Sequence, residues 1–251
     1  MKQVRYYFPY KIPFEAVDWD AYLSVRRSVR LLKQVQQFDN AYYMVFDYVS
    51  QQLIHSSSPT YVYSEQSDVA LRHLNTRYVI DTDYYERFLN FRASALDRYA
   101  GLADPERREW EVIYSISTGK DDMKTPPAVM IKMVPLLFSR SGQVAMALLK
   151  MVDSHDTNAE TRLFYHRQRR EMVRYDPLSG QWGTPFILRE LTQDERHILV
   201  LSSQGVPVEK MTDRIFLSPH TIRARIRDLQ EYYRVSNIRS LIGILRILTL
   251  I

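Results

Sequence analysis

Three arginines lie close together in the last quarter of the chain, at Arg223, Arg225 and Arg227. In a helix, Ile222, Ile226, Leu229 and Tyr233 form an apolar stripe along one side. A rotation of about 100° per residue then places Arg223 and Arg227 on one face beside this stripe and Arg225 on its other flank. Such a helix buries one side and offers guanidinium groups outward, where they can bond paired acceptors on guanine or hold phosphate. The alternative is an ordinary amphipathic helix whose arginines are solvated, and charge alone does not separate the two.

Signatures of enzyme chemistry are incomplete. The segment Ser115–Lys120 ends like a phosphate-binding loop, but Tyr114 stands where that loop needs its first glycine. The glycine patterns of dinucleotide-binding folds and of serine hydrolases do not occur. The six histidines lack metal-ligand spacing, and His155-Asp156 is interpreted as a solvated turn. The absence of cysteine excludes disulfides, thiolate metal sites and a cysteine nucleophile. We therefore expect no enzyme activity and no metal, and the sequence identifies no cofactor.

Composition and charge fit a globular protein with an anionic partner, without requiring one. Of the 251 residues, 45% are hydrophobic and 25% charged, which is typical of globular domains. From Arg189 onward ten basic and seven acidic residues give +3 of the total charge of +5. The most apolar stretch, residues 241–251, is too short to cross a membrane, and the first residues do not form a secretory signal. We expect a cytoplasmic protein without a membrane segment.

The arginine cluster belongs to a segment that predicts four helices. Thr192 and Glu195 fit a capping box, in which each side chain bonds the other residue's backbone N–H. Gly205 is expected to end that first helix, and a short helix follows at residues 209–216. Ser218 is a typical cap for the third helix, since Pro219 then occupies the first position, where no N–H is required. The fourth helix is predicted from residue 237 to residue 251.

The spacing of this segment resembles the LuxR-type (GerE-like) helix-turn-helix domain over about 60 residues. The positions that agree in register are Thr192, Glu195, Ile198, Leu199, Gly205, Ile215, Leu217, Ser218, Thr221, Ile222, Ile226 and Leu229. The resemblance implies a transcription regulator that places helix 219–233 in the major groove of double-stranded DNA. It implies phosphate contacts at Lys210, Ser218, Thr221 and Arg225, and base contacts at Arg223, Ala224 and Arg227.

Two positions depart from the family's pattern. Arg225 replaces the common histidine and is expected to keep and strengthen a phosphate contact. Met211-Thr212 stands where an isoleucine and a small alanine are usual, so the packing of the two central helices is expected to be looser.

The last helix is apolar on all sides and therefore needs cover on more than one side. We expect a two-fold partner helix to supply it, which would set two recognition helices about one DNA turn apart. The homodimer is predicted to form through Ile238, Leu241, Ile242, Leu245 and Leu248.

The first 175 residues predict an α+β fold with a largely antiparallel sheet. Helices are expected at 20–37 and 81–102, and strands within 41–58, 110–117, 128–138, 143–152 and 172–175. The order of elements resembles a PAS-type sensor domain, which implies binding of a small molecule or a protein partner and dimerisation through the N-terminal helix. The aromatic residues Tyr43, Phe46, Tyr61, Tyr63 and Phe88 either line a pocket or form plain core.

The predicted chain has four parts. Residues 1–37 form an N-terminal arm and helix, 38–175 the PAS-like domain, 176–188 a linker with a short hairpin near Trp182, and 189–251 the helix-turn-helix domain. Proline and glycine punctuate the linker, and its stiffness is expected to couple the two domains. The alternatives to a DNA-binding regulator with a sensing domain are a protein-interaction adaptor, an acyl-homoserine-lactone receptor and an enzyme. The ligand, the operator and the direction of regulation stay open.

Overall fold

The computed structural model describes residues 10–29, 31, 41–56, 82–117, 128–154 and 161–251. The helices of this part of the chain are α1 (Trp19–Val29), α2 (Thr82–Ala100), α3 (Gln193–Ser203), α4 (Val208–Ile215), α5 (Pro219–Tyr232) and α6 (Ile238–Ile247). The strands are β1 (Tyr42–Asp47), β2 (Gln52–Ser56), β3 (Trp110–Ser117), β4 (Ala128–Phe138), β5 (Val144–Ser154), β6 (Arg162–His166), β7 (Glu171–Asp176), β8 (Gln181–Trp182) and β9 (Phe186–Ile187).

The strands form a nine-stranded sheet in the order β2-β1-β5-β4-β3-β6-β7-β8, and β9 also pairs with β7. Every pairing among the described strands is antiparallel. The predicted hairpin between β4 and β5 is present. Its turn is closed by the Ser139 N–H, which donates to the Gln143 carbonyl at 2.8 Å, and Gly142 supplies the positive φ of 84°. The predicted α+β class with an antiparallel sheet is confirmed.

Both faces of this sheet are apolar, because neighbouring residues of a strand point to opposite sides. One face packs on α1 and α2 and includes Val112, Tyr114, Ile131 and Met133, with Phe91, Ala95 and Tyr99 from α2. The opposite face contributes Ile113, Met130, Leu163, Tyr165 and Met172 to a second cluster, which we call the shared cluster. The C-terminal helices contribute Leu199, Leu229, Tyr233, Leu241, Ile242, Ile244, Leu245 and Ile247 to it.

Helix α6 lies against β4 and β5. Leu241 and Leu245 are fully buried and Ile242 is nearly so, while Ile238 and Leu248 are partly buried against the same cluster. The sheet of the same chain covers one side of this helix, a contact that the sequence analysis did not predict. The sheet has a second apolar face, and the helix has apolar residues on several sides. Packing them together removes both apolar surfaces from water. Dimerisation through these residues stays a prediction, and Ile238 and Leu248 keep part of their surface exposed.

The predicted linker at 176–188 is bound to the sheet. Tyr175 lies opposite Trp182 in the β7–β8 pair, and the Gly180 N–H closes the turn on the Asp176 carbonyl at 2.9 Å. The indole N–H of Trp182 donates to Ser94 Oγ of α2 at 2.8 Å. The hairpin predicted near Trp182 is therefore present, and it attaches residues 176–188, which we call the joint, to α2. We call the described residues before the joint the first unit or sheet unit, and residues 189–251 with α3–α6 the second unit or helical unit.

The largest differences from the predicted elements concern α6, β6 and β9. Helix α6 ends at Ile247 rather than at residue 251, because Thr249 takes a left-handed φ of 62° and the Leu250 N–H bonds back to the Leu245 carbonyl at 2.8 Å. Strands β6 and β9 were not predicted, since β6 is a short fully buried strand without polar alternation and β9 has only two residues. The predicted first helix at 20–37 is present as α1 up to Val29, and its residues 30 and 32–37 lie outside the described residues.

Truncating Leu245 to alanine is expected to destabilise the sheet unit together with the helical unit. A fully buried leucine costs about 2–5 kcal/mol when cut to alanine, and the shared cluster joins the two units. All three tryptophans precede residue 189, so tryptophan fluorescence in urea reports on the sheet unit. Leu245→Ala should lower the urea concentration at the midpoint of the fluorescence transition. Leu178→Ala, at an 85% exposed position, should leave this midpoint unchanged. If Leu245→Ala reduces the helical signal in circular dichroism but leaves the fluorescence midpoint unchanged, the two units do not share a core.

Candidate nucleic-acid interface

Helix α5 begins as the sequence predicts, with Ser218 as its N-cap. The Ser218 hydroxyl oxygen accepts the Thr221 N–H at 3.1 Å, and Pro219 occupies the first turn. The preceding helix α4 ends at Ile215, and its C-cap Phe216 adopts a left-handed φ of 59° and donates its N–H to the Thr212 carbonyl at 2.9 Å. Only three residues separate α4 from α5, so the chain forms a helix-turn-helix.

The buried stripe of α5 contacts two different clusters. Near its start, Ile222 is fully buried with Ile198 of α3 and with Met211 and Ile215 of α4. Near its end, Leu229 and Tyr233 belong to the shared cluster beneath the sheet. One rigid helix therefore connects the surface of the helix-turn-helix to the core of the first unit.

The exposed side of α5 presents two arginines one turn apart. Arg223 and Arg227 are exposed, and Ala224 is half-buried beside them. Arg223 Nη2 forms an ion pair with Glu209 Oε1 in the first turn of α4. Arg227 has no ion pair among the described residues. The predicted separation of buried and exposed sides is thus present, and two guanidiniums on the exposed side are accessible to a ligand.

Arg225 lies at the margin of this face, as predicted. Its Nη2 is 3.1 Å from Asp194 Oδ2 of α3, and its side chain is one-third exposed. Asp194 and Glu209 were not identified from the sequence as partners of these arginines. Both are acids in the first turn of a helix, which the helix dipole alone accounts for, so the sequence holds no separate signal of the pairing.

Hydroxyl groups lie at the start of the same face. Ser218 Oγ and Thr221 Oγ1 are 2.8 Å apart, and either can donate to the other. Whichever donates, the second hydroxyl keeps its own hydrogen for an external acceptor. Lys210 is exposed and adjoins Glu209, the partner of Arg223. The start of α5 and the first turn of α4 therefore combine cationic groups with neutral donors, which suits a phosphate backbone.

The capping box of α3 is present and includes a third residue that the sequence did not reveal. Glu195 accepts the Thr192 N–H at 2.8 Å and returns its own N–H to the Thr192 hydroxyl at 3.3 Å. Arg189 binds the same carboxylate through two nitrogens, at 2.6 and 2.8 Å. These hydrogen bonds, first of all those from Arg189, lower the pKa of Glu195 from 4.5 to about 2, against the opposing effect of burial.

The end of α5 is fastened to the residues that connect the two units. The Tyr232 hydroxyl donates to the Ile187 carbonyl at 2.7 Å, and the Tyr233 hydroxyl donates to the Arg189 carbonyl at 3.2 Å. From the sheet, Arg174 Nη2 donates to the Tyr233 carbonyl at 3.4 Å. These bonds, together with the shared cluster, fix the direction of α5 relative to the sheet.

A small cavity lies between α2 and the sheet. Its volume is about 20 Å³, and its walls include Tyr48, Phe91, Arg92 and Tyr114. That space holds about one water molecule, so this cavity among the described residues is too small for an acyl-homoserine lactone. Of the aromatic residues considered for a pocket, Phe46 is buried in the core, while Tyr61 and Tyr63 lie outside the described residues.

Within the described residues no cluster of three or more histidine, aspartate or glutamate side chains could hold a metal ion. His155-Asp156 and the end of the incomplete phosphate loop lie outside those residues. The described helices include none that is both long and apolar enough to span a membrane.

Comparison with known proteins gives only distant likenesses. No family model and no curated protein matches the chain. Among solved structures, the chain is similar to a phage VqmA–DPO complex, with 16% identity over 89% of each chain and a TM-score of 0.29. It is also similar to a VqmA–ligand–DNA complex from Vibrio cholera, with 12% identity over 85% of this chain and 86% of the other and a TM-score of 0.26. Both TM-scores lie below 0.5, so the function must be argued from the site itself.

The Arg189–Glu195 contact makes stability depend on pH in a defined direction. A carboxylate whose folded pKa is lowered stabilises the fold above its unfolded pKa, and that contribution disappears as pH falls through the folded pKa. Lowering from 4.5 to about 2 corresponds to roughly 3 kcal/mol. In urea unfolding at pH 7, Glu195→Gln should have a lower free energy of unfolding than the parent. The difference in this free energy should decrease towards zero as the pH falls from about 5 to about 2.

The matched control is Glu190→Gln, since Glu190 is 90% exposed in its ion pair with Arg170. This variant should match the parent at every pH, because exposed ion pairs contribute little. A stability difference for Glu195→Gln that does not change with pH would refute the role of its carboxylate charge.

Proposed function

We propose that this protein is a sequence-specific DNA-binding transcription regulator that places α5 in the major groove. The observation that carries the proposal is the pair of exposed arginines, Arg223 and Arg227, one turn apart on a helix whose other side is buried. Arginine is the residue that most often recognises guanine, through paired hydrogen bonds to O6 and N7. The first two turns of α5 combine this chemistry with the length and width that the groove admits.

The surroundings of the two arginines support the same function. Ser218, Thr221 and Lys210 offer donors at the start of the helix, where contacts to the DNA backbone would set the register of α5. Arg225 lies at the rim and would contact phosphate after exchanging Asp194 for DNA. Ala224 leaves space between the two long side chains for a base edge. Each of these contacts follows the LuxR-type resemblance and stays a proposal.

The first unit is proposed to regulate the second. The resemblance to a PAS-type domain suggests a small molecule or a protein as the signal, and the cavity beside Arg92 would have to open to admit a ligand. The route would run from the sheet through the shared cluster to α5 and α6, in addition to the stiff joint at 176–188. A signal that changes the packing of α6 would also change whether that helix can pair in a homodimer.

A protein-interaction adaptor is the second candidate. It would use the same helices as a docking surface and would have no salt-dependent affinity for any duplex. The deciding experiment is selection from a library of random DNA duplexes by the full-length protein, followed by affinity measurements on the selected site and on random duplex at several salt concentrations. Tighter binding to a selected site supports the regulator, whereas the absence of duplex binding supports the adaptor.

Arg223→Ala is expected to weaken binding to the selected site far more than binding to random duplex. An arginine that bonds guanine through two donors is worth about 1–3 kcal/mol of discrimination. Arg225→Ala should weaken both duplexes about equally and reduce the slope of log affinity against log salt by about one, because it removes one phosphate contact. Fluorescence anisotropy on the two duplexes measures both effects. Equal losses for Arg223→Ala on both duplexes would refute base recognition by this residue.

A further inference from the structure

The first turn of α4 carries an acid that faces the exposed side of α5. Glu209 Oε1 forms an ion pair with Arg223 Nη2 across the helix-turn-helix. The two side chains are 63% and 59% exposed, and ion pairs this exposed contribute little to folding stability. The helix dipole favours an acid in this first turn, but it does not require the carboxylate to contact Arg223, and the ion pair itself adds little stability.

The chemistry of the pair leaves Arg223 able to bind DNA. A guanidinium has five N–H donors in a planar fork, and a contact at Nη2 leaves donors for two acceptors on a guanine. A carboxylate on one edge also fixes the plane and direction of the group, so less side-chain freedom is lost when the base is bound. We propose that Glu209 is a positioning residue that holds Arg223 for base contact and sets the sequence specificity of the protein. This inference rests on the proposed function.

Glu209 would act in opposite directions on the right and the wrong DNA. On a selected site the protein and the DNA exclude water from the ion pair, which strengthens it while Arg223 bonds the base. On random duplex no guanine is in place, and a free Arg223 would turn to the nearest phosphate. Glu209 holds Arg223 away from the phosphate, and its negative charge repels the phosphates. It therefore weakens binding to DNA that lacks the recognised guanine.

The other arginines of α5 provide the comparison. Arg225 also pairs with an acid, but its partner Asp194 lies on α3 and Arg225 lies at the margin of the buried stripe. Its pairing should therefore affect contacts to phosphate and not the choice of base. Asp194→Asn and Glu209→Gln remove the same charge from two arginine partners on neighbouring helices, which makes Asp194→Asn a matched control.

The test uses the full-length chain with its selected duplex and a random duplex. Glu209→Gln should reduce the preference for the selected site about tenfold, and most of this change should come from tighter binding to random DNA. The salt slope on random duplex should steepen by about one, because Arg223 then contacts phosphate. Asp194→Asn should change both affinities by the same factor and leave the preference unaltered. Glu209→Ala should behave as Glu209→Gln, which separates the charge from the shape of the side chain.

Two further results separate positioning from a general charge effect. A repeated selection with Glu209→Gln should lose base preference at the same position that Arg223→Ala loses, and at no other. In the Arg223→Ala background, Glu209→Gln should cause no further loss of preference. If Glu209→Gln tightens both duplexes equally, the residue is only a repulsive surface charge and the inference is wrong. If the parent protein shows no preferred site, the proposed function itself fails, and this outcome is distinct from the previous one.

Discussion

The arrangement of the chain depends on a sheet that is apolar on both faces. An antiparallel sheet commonly exposes one face to water, and its strands then alternate apolar and polar residues. Here β3 contributes Val112 to the face beneath α2 and Ile113 to the opposite face. Water would otherwise contact the second face, so a second layer must cover it. The C-terminal helices are that layer, which explains why the two units share a core although a punctuated joint connects them.

Helix α5 takes part in this core and in the candidate interface at once. Its first turns pack on α3 and α4 through Ile222, and its last turn packs in the shared cluster through Leu229 and Tyr233. A helix of 14 residues transmits a shift at one end to the other, because its backbone is stiff over this length. Repacking of the sheet would therefore change the direction of Arg223 and Arg227. A signal could do this only by binding the two arrangements with different affinity.

The local part of this structure could be predicted from the sequence. The capping box at Thr192, the cap at Ser218, the hairpin of β4 and β5 and the stripe of α5 are each encoded within a few neighbouring residues. The sequence could not show which element buries α6, because an apolar helix has the same residue pattern whether a sheet or a second copy of the chain covers it. Two ion pairs were also not predicted. The path of the chain from β9 into α3 sets the pairing of Arg189 with Glu195, and the turn between α4 and α5 sets that of Arg223 with Glu209. The sequence also suggested coupling between the two units through the joint alone, whereas α6 contacts the sheet directly.

Methylation interference on the selected duplex shows whether α5 contacts base edges in the major groove. A methyl group on guanine N7 blocks the acceptor that an arginine uses there and leaves the phosphates unchanged. Methylation of particular guanines in the selected site should abolish binding, and Arg223→Ala should no longer distinguish methylated from unmethylated DNA at one of them. Binding that tolerates N7 methylation at every guanine of the site would rule out base recognition by α5 in the major groove.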